Sequence, residues 1–298
     1  MRLRALFVAA DGRPQAPWRI LIFFVVAAIA GALVVAFGSL LRRPIFALTG
    51  SGEAAQFIYL CTALLIANGV MLSWVDKRPW SYVFLGVDAA RPIVFARGAL
   101  LGALPILLPS ALLLAVGFLS IQQQRDGPWL RSATQISIVL LFAALWEELF
   151  SRGYLFATLR DWLGPRTALI VTSVGFGLLH IPNPGSDARS VFLVTLAGFF
   201  LGAIILVTGS LYAAWMAHWL WNWVMAVAMH SPVSGENFAA PDYRIVDSGP
   251  DWITGGAWGP EGGAAAAAGM IAGLVYLYWR FNRKKQQQIL RFAQDDKY

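Results

Sequence analysis

Long apolar segments separated by short polar stretches run along the whole chain. Most of them are long enough to cross about 30 Å of hydrocarbon as helices, which rise about 1.5 Å per residue. Their approximate extents are residues 18–41, 54–75, 93–119, 134–158, 167–181, 190–209, 211–229 and 264–281. None shows the alternating pattern of a membrane barrel strand, and the lipid interior excludes unpaired backbone groups. The pattern therefore predicts an all-α, polytopic membrane protein with about eight transmembrane helices, or seven, since the fifth segment is short and the sixth and seventh nearly touch.

The composition supports this class, because 58% of the 298 residues are hydrophobic and only 13% are charged. The sequence has no glycine-rich phosphate loop, no cysteine cluster suited to a metal and no second soluble segment. We therefore expect residues 1–298 to form a single membrane domain. Cys61 is the one cysteine, so no intramolecular disulfide can form, and its place in the second apolar segment favours a small buried core residue.

The basic residues are distributed unevenly between the two sides of the predicted bundle. With eight helices both termini lie on one side, where 16 Lys and Arg residues fall against 6 on the other. Because Lys and Arg are retained in the cytoplasm, this bias predicts cytoplasmic termini and a multi-pass protein of the cell (plasma or inner) membrane. A basic tail, residues 282–298, is expected to lie against anionic lipid headgroups. The net charge of +7 is thereby explained by the lipid bilayer as partner, and no nucleic acid is expected.

The longest loop, residues 230–262, is rich in Gly, Pro and carboxylates. On the same topology it lies outside the cytoplasm. We expect a solvated connector rather than a lid. Trp252 and Trp258 are expected to rest at the membrane interface, where aromatic rings are enriched.

Glu147 and Glu148 are the only acidic residues in the middle of a predicted span. A charge at the bilayer centre costs about 2.5 to 3.5 kcal/mol even on lenient insertion scales, so such residues usually face the protein interior and serve function. Arg152 follows Glu148 by four residues and shares its helical face, which predicts an ion pair. That pair leaves Glu147 without a partner.

Two neighbouring spans carry further polar residues. His180 ends the fifth segment, and His218 and Asn222 are four apart in the seventh, which puts both on one helical face. A single buried histidine is more often a core residue than a catalyst. Two glutamates, an arginine, two histidines and an asparagine in three spans, however, together supply a base, hydrogen-bond donors and possible metal ligands. Counting the helical rise places Glu147 and His218 each about 10 Å from the cytoplasmic boundary. Asn222 lies about 16 Å and His180 about 20 Å from it by the same count, so the expected pocket is nearer the cytoplasmic face.

These residues form three motifs: "EELFSR" contains Glu-Glu-x-x-x-Arg, "FGLLH" contains Phe-x-x-x-His and "HWLWN" contains His-x-x-x-Asn. In their order and membrane setting they resemble the CPBP family of intramembrane proteases, which includes the CAAX prenyl endopeptidases and the bacteriocin-processing or Abi proteins. The resemblance covers about residues 134–229, the expected catalytic core. It implies an endopeptidase that hydrolyses a peptide bond of a membrane-associated or lipidated protein or peptide.

The resemblance also implies a role for each residue. Glu147 resembles the general base that activates a water, and His180 its partner in holding that water or a metal. His218 and Asn222 resemble donors to the developing oxyanion, whereas Glu148 and Arg152 resemble an orienting pair beside the base. Phe176 is expected to pack and carries no chemistry.

A metal is an open alternative, because a glutamate and two histidines can hold zinc and leave a position for water. The candidate ligands are Glu147, His180 and His218, although no His-Glu-x-x-His helix is present. We favour a glutamate-and-histidine water site slightly over zinc.

Two other functions are consistent with buried carboxylates. One is a proton-coupled secondary transporter, against which the polar groups do not fall in paired broken helices of two repeated halves. The other is a non-catalytic membrane scaffold or immunity protein of the same fold, against which the motif set is intact. The substrate, its prenylation and the oligomeric state are left open by the sequence.

Overall fold

A computed structural model describes residues 7–8, 12–123, 129–238 and 243–295. Part of the predicted basic tail lies outside these described residues, namely residues 296–298 and the side chains of 284, 285 and 287–295.

The described chain is built almost entirely of helices, which confirms the all-α polytopic class. The α-helices are α1 (Ala16–Gly38), α2 (Arg42–Thr49), α3 (Gly52–Val70), α4 (Pro92–Ala115), α5 (Trp129–Arg152), α6 (Tyr154–Leu179), α7 (Ala188–Thr208), α8 (Leu211–Trp223), α9 (Asp251–Thr254) and α10 (Ala264–Asp295). Helices α3 and α8 continue as π-helical segments, Met71–Asp76 and Val224–Ala228. Strands β1 (Leu119–Gln123) and β2 (Tyr243–Asp247) pair antiparallel, with Leu119 opposite Asp247. The sequence pattern did not predict this small sheet.

Within the described residues, six helical segments are long and apolar enough to cross a membrane. One of them, Trp129–Leu179, has 51 residues and contains two of the predicted spans. The predicted span 211–229 corresponds to α8 with its π-helical extension, and the α-helical part has only 13 residues. All eight predicted segments are therefore helical, but their ends differ from the prediction.

The largest difference lies at the predicted span 134–158, because α5 already ends at Arg152. Gly153 interrupts the helix with φ −80° and ψ −122°, and a Cβ atom there would lie 2.4 Å from the carbonyl oxygen of Leu149. A second interruption follows at Gly164, whose φ of 83° and ψ of 162° are non-helical. The segment between the two glycines forms the first part of α6, about 15 Å of helix that the sequence divided between a span and a loop.

Close backbone contacts fix the helices that surround the polar residues. Helix α4 packs on α8 where a Cβ atom on Gly102 would lie only 1.8 Å from the carbonyl oxygen of Ala217. Helix α7 packs on α6 where a Cβ atom on Gly198 would lie 2.9 Å from Cα of Ser173. Glycine permits this approach because it has no side chain. Cys61 is buried, as predicted, with Sγ 3.3 Å from the carbonyl oxygen of Phe142.

The described parts of the loop 230–262 contact the bundle through buried residues such as Trp258 and Glu261, so the prediction of a solvated connector is wrong. Trp258 is 3% exposed and packs with Phe176 and Val194, whereas Trp252 is 61% exposed. The interfacial position expected for Trp258 is therefore also wrong. Positive φ angles at two glycines, 100° at Gly255 and 101° at Gly259, let the loop turn back onto the helices. The polar composition of the loop does not predict that this turn buries apolar side chains.

A second polar cluster joins α1, the end of α3 and the start of α6. Arg19 Nε lies 2.8 Å from Asp76 Oδ1, and the hydroxyl of Tyr154 donates to Asp76 Oδ2 at 2.6 Å. Arg19 Nη2 also donates to the hydroxyl of Tyr82 at 2.9 Å. Burial raises the pKa of Tyr82, so its hydroxyl stays neutral. This cluster ties the amino-terminal helix to the bundle.

Candidate active site

Three helices bring the predicted polar residues to one place in the bundle. Helix α5 carries three of them, α8 carries two, and one follows the last residue of α6. These residues are Glu147, Glu148, Arg152, His218, Asn222 and His180. Five of the six are linked by the contacts described below, and Asn222 lines the same pocket as His180 and His218.

Glu148 lies between Arg152 and His218. Its Oε1 atom accepts a hydrogen bond from Arg152 Nη1 at 2.8 Å and lies 3.0 Å from His218 Nδ1. Arg152 Nη2 donates to the carbonyl oxygen of Gly198 at 3.2 Å, and its guanidinium carbon lies 4.3 Å from the ring centroid of Phe176. The predicted ion pair is therefore present, and it also fixes the imidazole of His218. Phe176 packs beside the pair, as expected.

Glu147 faces the two histidines instead of the arginine. Its Oε2 atom lies 3.9 Å from His180 Nε2 and 3.8 Å from His218 Nε2. This oxygen is buried without a hydrogen-bond partner among the described residues. The side chain is 21% exposed, whereas that of Glu148 is 0% exposed. Neighbouring residues on a helix point about 100° apart, so the two carboxylates have different surroundings.

The hydrogen bonds of the histidines orient both rings. His180 Nδ1 lies 2.8 Å from the carbonyl oxygen of Phe176, and a carbonyl can only accept, so Nδ1 carries the proton. His218 Nδ1 carries a proton by the same reasoning, since its partner is the Glu148 carboxylate. Both rings therefore direct Nε2 towards Glu147. The two imidazole nitrogens thus lie 3.9 and 3.8 Å from the same carboxylate oxygen.

The spacing of these three atoms bears on whether they hold a water or a zinc ion. Two ligands on tetrahedral zinc, each about 2.0 to 2.1 Å from the metal, lie about 3.3 Å apart. The observed separations from Glu147 are 3.8 and 3.9 Å, and no group of three metal-ligating side chains is found in the described part of the chain. A water about 2.8 Å from each atom can also span such gaps. The donor types suit zinc, and the choice between a water and a metal stays a prediction.

A mainly apolar pocket lies beside the histidines. Its lining residues are Phe176, His180, Val194, Ala197, Phe200, Leu201, His218, Trp221, Asn222, Ser234, Glu261 and Met270. Glu147 is not among them, although its Oε2 atom lies 3.9 Å from His180 Nε2. The pocket is thus bordered by the polar cluster at one place and by apolar helix faces elsewhere.

Two lining residues, Ser234 and Glu261, were not singled out from the sequence. Glu261 Oε1 accepts hydrogen bonds from the backbone nitrogen and the hydroxyl of Ser234, both at 2.6 Å. Its Oε2 atom accepts from Trp221 Nε1 at 3.0 Å. Both residues belong to the loop 230–262, whose acidic composition resembles that of any solvated loop. The only local indication of this contact in the sequence is that Trp221 precedes Asn222, and this does not show that Trp221 binds Glu261.

The pocket lies at the end of the bundle that carries this loop. The sequence predicts the loop outside the cytoplasm and the pocket nearer the cytoplasmic face. Ser234 and Glu261 of the loop line the pocket, so the loop and the pocket lie together. The depth of the pocket in the membrane stays a prediction.

The site falls within a segment that matches a known protein family. Residues 129–224, about a third of the chain, match the model of the family described as type II CAAX prenyl endopeptidase Rce1-like. The match confirms the resemblance to CAAX-type proteases, and the segment contains all six predicted site residues. No curated protein and no solved structure matches the chain.

Proposed function

We propose that this protein is an intramembrane endopeptidase that cleaves a membrane-associated or lipidated substrate, since residues 129–224 match the model of the Rce1-like CAAX endopeptidase family. The observation that carries the proposal is the convergence of Glu147 Oε2 on the Nε2 atoms of His180 and His218 at 3.9 and 3.8 Å. Such gaps are too long for direct hydrogen bonds and suit a shared water.

Glu147 is the general base in this mechanism. Its unpaired Oε2 atom accepts a proton from the water, which attacks the carbonyl carbon of the scissile peptide bond. His180 orients the water through Nε2, since its Nδ1–H is occupied by the carbonyl oxygen of Phe176. The base then returns the proton to the leaving amine, so that one water is consumed for each bond cleaved.

The developing oxyanion is stabilised from α8. His218 donates from Nε2, and in that role the ring carries protons on both nitrogens while Glu148 balances the positive charge at 3.0 Å. Asn222 lies one helical turn further along the same face and lines the same pocket, so its amide is a second donor. Arg152 holds Glu148 in place and makes no contact with the substrate.

Cleavage of lipid-anchored peptides in proteoliposomes tests this function. We expect the parent protein to generate new peptide ends, detected by mass spectrometry, from a library of peptides with a farnesyl or acyl chain on cysteine. The Glu147→Gln variant is expected to generate none. Glu236→Gln, the same substitution at an exposed position of the loop, is the matched control and is expected to behave as the parent. Equal cleavage by the parent and Glu147→Gln would contradict the proposal, and a scaffold or transporter would leave the library intact with all three proteins.

A further inference from the structure

The loop 230–262 is hydrogen-bonded to both helical elements that carry a histidine of the candidate site. Glu261 Oε2 accepts from Trp221 Nε1 of α8 at 3.0 Å, and Glu261 Oε1 accepts from the backbone nitrogen and the hydroxyl of Ser234, both at 2.6 Å. The carbonyl oxygen of Ser234 accepts from Asn183 Nδ2 at 3.0 Å. These four residues, hereafter the loop bridge, connect α8 to the turn that follows α6.

Packing contacts hold the same loop against the end of α6. A Cβ atom on Gly235 would lie 2.0 Å from the carbonyl oxygen of Pro184, so the backbone of the loop lies directly on the turn. The backbone nitrogen of Gly235 donates to the carbonyl oxygen of Trp258 at 3.0 Å. Trp258 packs with Phe176, whose own carbonyl oxygen lies 2.8 Å from His180 Nδ1. The two halves of the loop therefore meet where α6 ends.

Each end of the loop bridge lies close in sequence to a residue of the candidate site. Trp221 follows His218 by three residues and immediately precedes Asn222. Asn183 follows His180 by three residues, and its backbone nitrogen donates to the carbonyl oxygen of His180 at 3.1 Å. Among the hydrogen bonds of the described residues, none joins the turn directly to α8. The loop bridge thus supplies a polar connection between the two elements that carry the histidines.

His180 lies at a helix end, where backbone geometry is least well fixed. Its ring bonds to the carbonyl oxygen of Phe176, and its Nε2 atom lies 3.9 Å from Glu147 Oε2. Catalytic groups need to be held within about 0.5 Å of their productive geometry, and an error of about 1 Å can cost about 10² in rate. A bond that fixes the turn at Asn183 therefore limits how far His180 moves relative to His218.

We propose that Glu261, Ser234 and Asn183 are positioning residues, which set the separation of His180 and His218 by bonding both elements to one folded loop. This inference rests on the proposed endopeptidase function. The three residues act through the two histidines and not on the substrate, so their loss lowers kcat and leaves KM unchanged. Because the bonds are in series, breaking one end has the same effect as breaking both.

The first test removes one N–H donor at each end of the loop bridge. Trp221→Phe keeps an aromatic ring, Asn183→Leu keeps nearly the size of the side chain, and neither changes the charge of the protein. On a peptide that the parent cleaves, we expect kcat to fall about tenfold or more in each variant, with KM unchanged. Trp252→Phe and Asn237→Leu, the same substitutions at exposed positions of the loop, are the matched controls and should keep the parental kcat.

The double variant Trp221→Phe/Asn183→Leu distinguishes bonds in series from two separate structural contacts. Contacts that act independently give a loss in kcat equal to the product of the two single losses, whereas the double variant is expected to be no slower than the slower single variant. A product of losses overturns the proposal, and so does a parental kcat in either single variant. Asn183 is partly exposed, so its variant provides the test even if the substitution of buried Trp221 destabilises the fold.

A spectroscopic measurement tests the positioning role without cleavage. The sequence has three histidines, so protein labelled with ¹⁵N only in histidine gives one set of imidazole signals for each ring. We expect the signals of His180 and His218 to shift or double in both single variants. Those of His230, whose ring contacts Trp129 and Tyr243, should stay unchanged and serve as the internal control. Parental signals of His180 and His218 in both variants overturn the proposal. Altered signals in a protein whose parent cleaves no peptide would support the positioning role and contradict only the endopeptidase.

Discussion

Arg152 Nη1 lies 2.8 Å from Glu148 Oε1, and both side chains are fully buried. The two residues are one helical turn apart in α5, and the same carboxylate oxygen is 3.0 Å from His218 Nδ1. One carboxylate thus neutralises the arginine and orients the imidazole. Because the pair is buried, removing either member leaves the other charge without compensation in a low-dielectric interior.

We therefore predict that Glu148→Ala and Arg152→Ala each lower the stability of the folded protein by about 3 to 5 kcal/mol. Thermal melting of the purified variants in detergent measures this loss. Arg189→Ala, which removes a partly exposed arginine 3.8 Å from Asp187, is the matched control and should melt within a few degrees of the parent. If Glu148→Ala and Arg152→Ala melt like the parent, the buried pair does not have the stabilising role assigned to it.

Glu147→Gln is predicted to separate activity from stability. Glutamine keeps the size of the side chain but cannot accept the proton from water, so turnover should fall by about 10² to 10⁴. The melting temperature should change little, because Glu147 Oε2 has no hydrogen-bond partner to lose among the described residues. Rates on a cleaved peptide and melting curves of the same preparation test both parts. A large loss of stability in Glu147→Gln but none in Glu148→Ala would reverse the roles of the two glutamates.

The site could be predicted from the sequence because charge in an apolar span is costly and therefore conspicuous. Glu147, Glu148 and Arg152 stand out on that ground, and the helical repeat correctly predicts the pairing of Glu148 with Arg152. The same repeat cannot predict contacts between helices. The hydrogen bond between His218 and Glu148 depends on how α8 packs against α5, which local spacing does not determine.

The loop and the end of the fourth span were predicted wrongly for different physical reasons. Glu261 and Trp258 are buried by tertiary contacts with Trp221 and Phe176, so the polar composition of their loop gave no indication of it. The fourth span was predicted to run without a break to residue 158, whereas α5 ends at Arg152 and a new helix begins after Gly153. Glycine at that position was treated as an ordinary residue of an apolar segment.

A substitution at a close helix–helix contact is predicted to disturb the site through packing. In Gly102→Ala, the added Cβ atom would lie 1.8 Å from the carbonyl oxygen of Ala217. This distance is far shorter than a normal contact, so α8 must move. Overpacking of this kind costs about 1 to 3 kcal/mol, and the shift displaces His218, the next residue of α8. Both the melting temperature and kcat should fall. Gly175→Ala is the matched control, because no atom lies within 4 Å of a Cβ there, and it should be neutral or slightly stabilising.

Removal of metal is predicted to leave peptide cleavage unchanged. Glu147 Oε2 lies 3.9 Å from His180 Nε2 and 3.8 Å from His218 Nε2. Two ligand atoms on a tetrahedral zinc ion lie closer together, at about 3.3 Å. Activity after dialysis against a chelator, together with elemental analysis of the purified protein, tests this prediction. Loss of activity that added zinc restores would show that the three side chains close around a metal, and the water mechanism would then be wrong.

Orientation in the membrane decides which compartment the site faces. The 16 to 6 distribution of basic residues predicts cytoplasmic termini, and the pocket lies at the end of the bundle that carries the loop 230–262. We therefore predict that the pocket faces away from the cytoplasm. A Glu236→Cys variant tests this with a membrane-impermeant maleimide on intact cells, because position 236 is exposed, whereas the native Cys61 is buried and gives an unlabelled parent control. Labelling before permeabilisation supports the prediction. Labelling only after permeabilisation would place both the loop and the site on the cytoplasmic side, and the charge bias would then not determine the topology of this chain.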